Sequence, residues 1–183
     1  ELTNAQINVL KDIRKDLALK KPMNRLIQGD VGCGKTVVAM LTSAIVVASG
    51  AQVAIMAPTE ILAEQHFDSF KEYCKVLNIE CDLLISNLDS KKKESIYKEL
   101  KSNKIKIIVG THALFQKKVV FKNLGLVIVD EQHRFGVEQR KNLIIKGEHV
   151  NILAMTATPI PRTLTFALHG DMDLSWIDEQ PKN

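Results

Sequence analysis

The residues Gly29-Asp-Val-Gly-Cys-Gly-Lys-Thr36 constrain this chain more than any other feature, because they satisfy G-x-x-x-x-G-K-[ST] at every fixed position. The strand-like stretch 25–28 leads into them and a helical pattern leads out, which is the context in which such a loop cradles phosphate. Its glycines let the backbone curl so that successive N–H groups point at phosphate oxygens, reinforced by the positive end of the following helix. On that reading Gly29, Asp30, Val31, Gly32, Cys33, Gly34, Lys35 and Thr36 line a nucleotide site. Lys35 reaches the β- and γ-phosphates and Thr36 ligates Mg²⁺. The loop alone does not separate a small-molecule kinase, a GTPase, a transporter ATPase and a helicase, which all share it.

The remaining pattern suits such a loop. With 183 residues, 45% of them hydrophobic and 25% charged, the chain has the profile of one soluble globular domain, and disorder is excluded. Apolar runs at 52–57, 105–109, 124–129 and 150–155 read as strands, and helical patterns fill about 3–20, 35–49, 59–77, 90–102, 134–146 and 161–169. The strands are continuously apolar rather than alternating, which predicts a mainly parallel sheet buried on both faces, hence an α/β fold with helices on both sides. The helix after residue 35 is apolar almost all round and is expected to be covered on most sides. No run of about 18 apolar residues is present, so no membrane span is expected. The first residue is not Met, which suggests a fragment.

Cys33, Cys74 and Cys81 are odd in number and form no C-x-x-C pair, arguing against a disulfide framework or a zinc site and for a reducing cytoplasm. The net charge of +4 permits contact with a polyanion without demanding it. Lys91-Lys92-Lys93 opens a polar helical segment with Glu94, Lys98 and Glu99 nearby and reads as a solvated face. The segment around Met172 and Trp176 reads as an exit strand toward a following domain.

A second constellation lies downstream, where the apolar run 126–129 delivers Asp130-Glu131-Gln132-His133 to the C-terminal edge of a strand. Ligands of open α/β sheets bind at that edge. An acidic pair there, downstream of a phosphate loop, predicts that Asp130 holds Mg²⁺ and that Glu131 orients or deprotonates the attacking water. His133 stands by itself either as a hydrogen-bonding residue or as a proton carrier.

The stretch Asp130-Glu-Gln-His-Arg-Phe-Gly-Val-Glu-Gln-Arg140 resembles the extended DExH box of the RecG family, bacterial branched-DNA helicases of superfamily 2. Other blocks follow the family in order: Gln28-Gly-Asp-Val-Gly32, Ala57-Pro-Thr-Glu-Ile-Leu-Ala-Glu-Gln65, Val109-Gly-Thr-His-Ala-Leu-Phe115, Met155-Thr-Ala-Thr-Pro-Ile-Pro-Arg-Thr-Leu164 and Gly170-Asp-Met-Asp-Leu-Ser175. The resemblance implies the first RecA-like lobe of an ATP-dependent helicase across residues 1–183, with the N-terminal wedge domain and the second RecA-like lobe absent. It gives His133 a bridging role between the γ-phosphate site and the Thr156-Ala157-Thr158 motif, which links nucleotide state to DNA grip. It assigns Gln6 to adenine contact, the alternative being a helix cap at Thr3 with an exposed Gln6. It also places Thr59, Glu60, Gly110, Thr111 and His112 against a DNA backbone, with a plain N-cap as the other reading of Thr59. Cys33 stands where a small residue such as Ser is commoner, and only its N–H is required there.

The implied whole protein takes ATP and Mg²⁺, works as a cytoplasmic monomer near the nucleoid, and remodels stalled forks and Holliday junctions. The isolated lobe is expected to bind ATP but turn it over very slowly, since arginines of a second lobe are missing. Two rivals remain: the matching lobe of a transcription-repair coupling translocase, and a nucleotide-dependent binding module without motor output.

Overall fold

The computed structural model describes residues 1–30, 34–130, 146–147, 149–157 and 172–178. Among them run α1 (Asn4–Ala18), β1 (Asn24–Gly29), α2 (Lys35–Ala48), β2 (Gln52–Met56), α3 (Glu60–Val76), β3 (Cys81–Leu84), α4 (Ser90–Lys101), β4 (Ile107–Gly110), a one-turn 3-10 helix (His112–Phe115), β5 (Leu124–Asp130), β6 (Asn151–Thr156) and β7 (Asp173–Ile177). The strands form one sheet in the order β3-β4-β2-β5-β6-β1-β7. Every neighbouring pair is parallel, as the continuous apolar runs predict.

Side chains alternate between two cores. Val53 and Ile55 of β2, with Leu126 and Ile128 of β5, pack beneath α1, α2 and α3. Ala54, Met56, Val127 and Val129 face the opposite way, against Ile96 and Leu100 of α4 and Leu114 of the 3-10 turn. The period-two pleat thus puts helices on both faces of the sheet, and all of its C-terminal strand ends lie along one edge.

Local sequence explains most boundaries. α1 opens with a capping box: the Thr3 hydroxyl accepts from Gln6 N–H, and the Gln6 amide oxygen accepts from Thr3 N–H at 2.8 Å. Ala5, Val9 and Ile13, spaced four apart, then bury one stripe. Thr59 and Asp89 cap α3 and α4 by accepting from Leu62 N–H and Lys92 N–H. Asn78 and Asn103, at φ +54° and +65°, turn the chain out of those helices in the left-handed region. α2 is rich in β-branched residues and is helical because its packing overrides modest propensity. Its Thr42 and Ser43, both 0% exposed, bond back to Val38 O and Ala39 O at 2.8 Å.

Two departures from expectation stand out. α2 is less covered than its composition suggests, because Leu41 and Ile45 on its outer face remain 38% and 40% exposed. β3 does not stand out in the sequence: it has only four residues, and Cys81, Asp82 and Leu83 are only half-buried. The segment read as an exit strand is β7, an edge strand pairing in parallel with β1 from Arg25↔Asp173 to Gly29↔Ile177. The basic run on α4 is a charged face with local partners, Lys92 pairing with Asp82 at 3.0 Å and Lys93 donating to Ser86 O at 2.7 Å. No helix among the described residues is long and apolar enough to cross a membrane.

The two edges of the sheet differ in chemistry. At the edge where strands begin, two buried amides fasten neighbours. Gln52 donates to Leu100 O and Ile105 O and accepts from Asn123 N–H. Asn151 accepts from Met23 N–H and donates to Gly125 O, both at 2.8 Å. The opposite edge carries the groups described next.

Candidate functional site

β1 ends at Gly29, and α2 begins at Lys35 after Gly34 in the left-handed region (φ 88°, ψ 28°), where a Cβ would be strained. Gly34 leaves the first N–H groups of α2 without a side-chain cap, whereas α1, α3 and α4 each have one. An uncapped helix N-terminus behind a Gly-Lys-Thr sequence is the electrostatic requirement for holding phosphate. The Lys35 ammonium folds back onto the loop and donates to Gly29 O at 2.7 Å and Asp30 O at 3.0 Å. Thr36, half-buried, sits in the first turn of α2. Val31, Gly32 and Cys33 lie outside the described residues.

Gln6 is 2% exposed rather than exposed, and its Nε2 donates to Gly34 O at 3.3 Å while its Oε1 completes the cap of α1. The cap at Thr3 is thus formed, but by a buried Gln6 that also touches the backbone of Gly34.

Asp130 closes β5, two strands away from β1 across β6. With adjacent strands about 4.8 Å apart, the loop and this carboxylate are separated by about 10 Å along one edge, a span that a nucleotide phosphate tail with its cation can bridge. Thr156, 4% exposed, ends the intervening β6, where Gln28 of β1 is its register partner and Met155 faces Asp130. Glu131, His133 and Thr158 lie outside the described residues, as do the predicted helix 161–169 and all but the last residue of 134–146.

The residues assigned to a DNA backbone follow β2 and β4 on the same edge. Thr59 caps α3, so its hydroxyl is engaged by Leu62 N–H at 3.2 Å. Glu60 accepts a hydrogen bond from Ser86 Oγ. Gly110 is buried at the end of β4, and an added Cβ would collide with Leu84 O and the Leu114 side chain, which gives its identity a packing reason. Thr111 precedes the 3-10 turn, half-buried and without a side-chain capping bond, and His112 is exposed.

Sequence reasoning did not single out His66. Its Nε2 lies 2.6 Å from Asp130 Oδ2, with both side chains mostly enclosed at 18% and 15% exposure. The two residues are 64 positions apart, and no spacing rule connects them.

Nor did it single out Arg25. Its guanidinium grips Asp16 through Nε–Oδ2 at 2.6 Å and Nη2–Oδ1 at 3.1 Å, and Nη1 also donates to Ser175 Oγ at 2.9 Å. Burial works against this cation, but the Asp16 hydrogen bonds and the charges of Asp16, Asp12 and Asp173 outweigh it and raise its pKa. This cluster fastens β1 to α1 and β7, beneath the loop rather than in it.

A parallel sheet with helices on both faces, a glycine-turned connection from strand to helix after β1 and an aspartate ending β5 defines a lobe of the RecA-like class. The chain belongs to the DEAD/DEAH box helicase family, whose profile matches residues 3–166. Among curated proteins it is 56% identical over 183 residues to the ATP-dependent DNA helicase RecG of Aquifex aeolicus, covering 99% of this chain and 23% of that protein. Among solved structures, RecG bound to a three-way DNA junction superposes with a TM-score of 0.88 at 47% identity, covering all of this chain and 24% of that one. The Pyrococcus furiosus Hef helicase domain shares the fold, with a TM-score of 0.72 at 19% identity over 96% of this chain and 38% of that one. The chain thus spans about a quarter of the length of the RecG relatives it matches.

Proposed function

We propose that this chain is the ATP-binding, first RecA-like lobe of an ATP-dependent branched-DNA helicase that remodels stalled forks and Holliday junctions. The observation that carries the reading is the shared sheet edge: the uncapped N-terminus of α2 behind Gly34 and Lys35 lies two strands from the Asp130 carboxylate. In this reading Gly29 to Thr36 hold the phosphates through backbone N–H groups, Gln6 abuts the loop at Gly34, and Lys35 leaves its carbonyl partners for the β- and γ-phosphates. Thr36 and Asp130 are the oxygen donors for Mg²⁺, and their hard hydroxyl and carboxylate chemistry suits that cation. A cation held by them would supply charge neutralisation at the transferring phosphoryl group. Glu131 orients the attacking water, and His133 with Thr156 and Thr158 relays the state of the site.

Thr59, Glu60, Gly110, Thr111 and His112 form the proposed backbone-binding side, where hydroxyls and N–H groups position DNA without reading its sequence. Such a surface does not need strong positive charge, consistent with a net charge of only +4. In this reading a second RecA-like lobe completes the ATPase and a wedge domain supplies branch selectivity. The protein acts as a monomer in the bacterial cytoplasm.

Lys35→Ala or Glu131→Gln in the intact protein should abolish DNA-stimulated ATP hydrolysis. Near-normal turnover in either variant would overturn the assignment.

A further inference from the structure

The His66–Asp130 contact is the one polar link from α3 to the carboxylate proposed for Mg²⁺, among the described residues. An ionised carboxylate only accepts hydrogen bonds, so the His66 Nε2 must carry the proton in this 2.6 Å contact. The ring is held in place by its helix. Ala63 and Phe70, three residues before and four after His66, are buried at 0% and 1% exposure, so His66 flanks the core-facing stripe of α3. That helix is fixed by its Thr59 cap at one end and by Asn78 at the other.

Asp130, by contrast, is the last residue of its strand. A terminal carboxylate turns about a broad, two-fold torsion unless something fixes it. A hydrogen bond to one oxygen removes that freedom and leaves Oδ1 as the oxygen to face a cation or its water shell. Groups that orient a metal-binding carboxylate in this way contribute strongly to affinity although they never touch the metal.

We propose that His66 is a positioning residue for Asp130: its Nε2–H fixes the carboxylate in the orientation that Mg²⁺ binding requires. The proposal rests on the reading of Asp130 as the cation's carboxylate. It makes α3 part of the nucleotide site, although its N-terminus belongs to the proposed DNA-facing side.

The test is the Mg²⁺ dependence of nucleotide binding by the intact protein, read with a fluorescent ATP analogue titrated at fixed Mg²⁺ and again in chelator. His66→Phe keeps the packing volume and loses the donor, and His66→Gln keeps an N–H donor. In His66→Phe the Mg²⁺ concentration for half-maximal enhancement should rise about tenfold or more, with affinity in chelator unchanged. His66→Gln should recover much of the loss, and thermal unfolding of both variants should stay near the parent. Equal behaviour of the Phe and Gln variants, or a loss of affinity that is the same with and without Mg²⁺, overturns the proposal. Asp130→Asn separates the two levels. If it leaves the Mg²⁺ dependence intact, the metal reading fails and the proposal with it. If it abolishes that dependence while His66→Phe does not alter it, the His66 proposal alone fails.

Discussion

Replacing Gln52 by Leu probes the edge of the sheet remote from the site. Gln52 is 0% exposed and its amide makes three hydrogen bonds: to Leu100 O at 2.8 Å, to Ile105 O at 2.9 Å, and from Asn123 N–H at 2.9 Å. Leucine fills similar space but makes none of them. Water can reach the Asn123 N–H, since that residue is exposed. Leu100 O keeps the N–H groups of Asn103 and Lys122, both at 3.3 Å. The Ile105 carbonyl loses its amide partner in the core, and such a buried orphan costs about 1–3 kcal/mol. Loss of the other two bonds adds about 1 kcal/mol in all, partly offset by the extra apolar burial of Leu. The expected destabilisation is therefore about 3 kcal/mol. With a urea m-value of about 2 kcal/mol/M, the unfolding midpoint should fall by about 1.5 M, and Tm by about 6–12 °C. Nucleotide affinity should not change, because β2 carries Gln52 about 13 Å from its C-terminal end. A midpoint shift below about 0.3 M would show that the amide network contributes little. A selective loss of nucleotide affinity would show that the two edges are not independent.

Three further outcomes are expected. Gly110→Ala should lower stability by about 1–3 kcal/mol in thermal unfolding, since the methyl group meets the backbone of β3; unchanged stability would mean that β3 and β4 part more easily than their register implies. Asp16→Asn should cost about 3 kcal/mol by stranding a mostly enclosed guanidinium, and Arg25→Met combined with Asp16→Asn should recover much of it, so a double variant as unstable as the two losses added would refute the pairing. The Cys74 thiol is held below its ordinary pKa by the Cys81 hydrogen bond, against burial, which raises it. In Cys81→Ala only the burial effect remains, so the pH midpoint for alkylation of Cys74, followed by mass spectrometry, should move upward; a downward move would refute the donor role of Cys81.

The functional core was legible where chemistry is local. A glycine-rich loop between strand and helix is encoded by adjacent residues, because the left-handed turn at Gly34 and the start of α2 depend on neighbouring backbone alone. The caps at Thr3 and Thr59 were readable for the same reason: each bonds an N–H three residues on. The buried strands announced themselves by unbroken apolar runs, and the parallel sheet followed. β3 escaped because four residues, three of them only half-buried, carry too little periodicity.

What tertiary structure decided were the pairings between distant positions. His66 reaches Asp130 only because β2 and β5 are neighbours in the sheet, which swings α3 over the strand end that carries the carboxylate. Cys74 and Cys81 follow no pairing motif, yet the turn at Asn78 folds β3 back beside α3 and sets their free thiols against each other. Gly110 was assigned by resemblance to a DNA-facing loop, and only the packing of β3 against β4 shows that a side chain has no room there. Most elements, their class and the chemistry of each motif could be read from the chain alone, because those depend on short-range backbone preference and hydrophobic period. Only the three-dimensional arrangement decided which groups share a site, because strand order, set by burying two apolar faces at once, is what brings residues far apart in the chain to one edge.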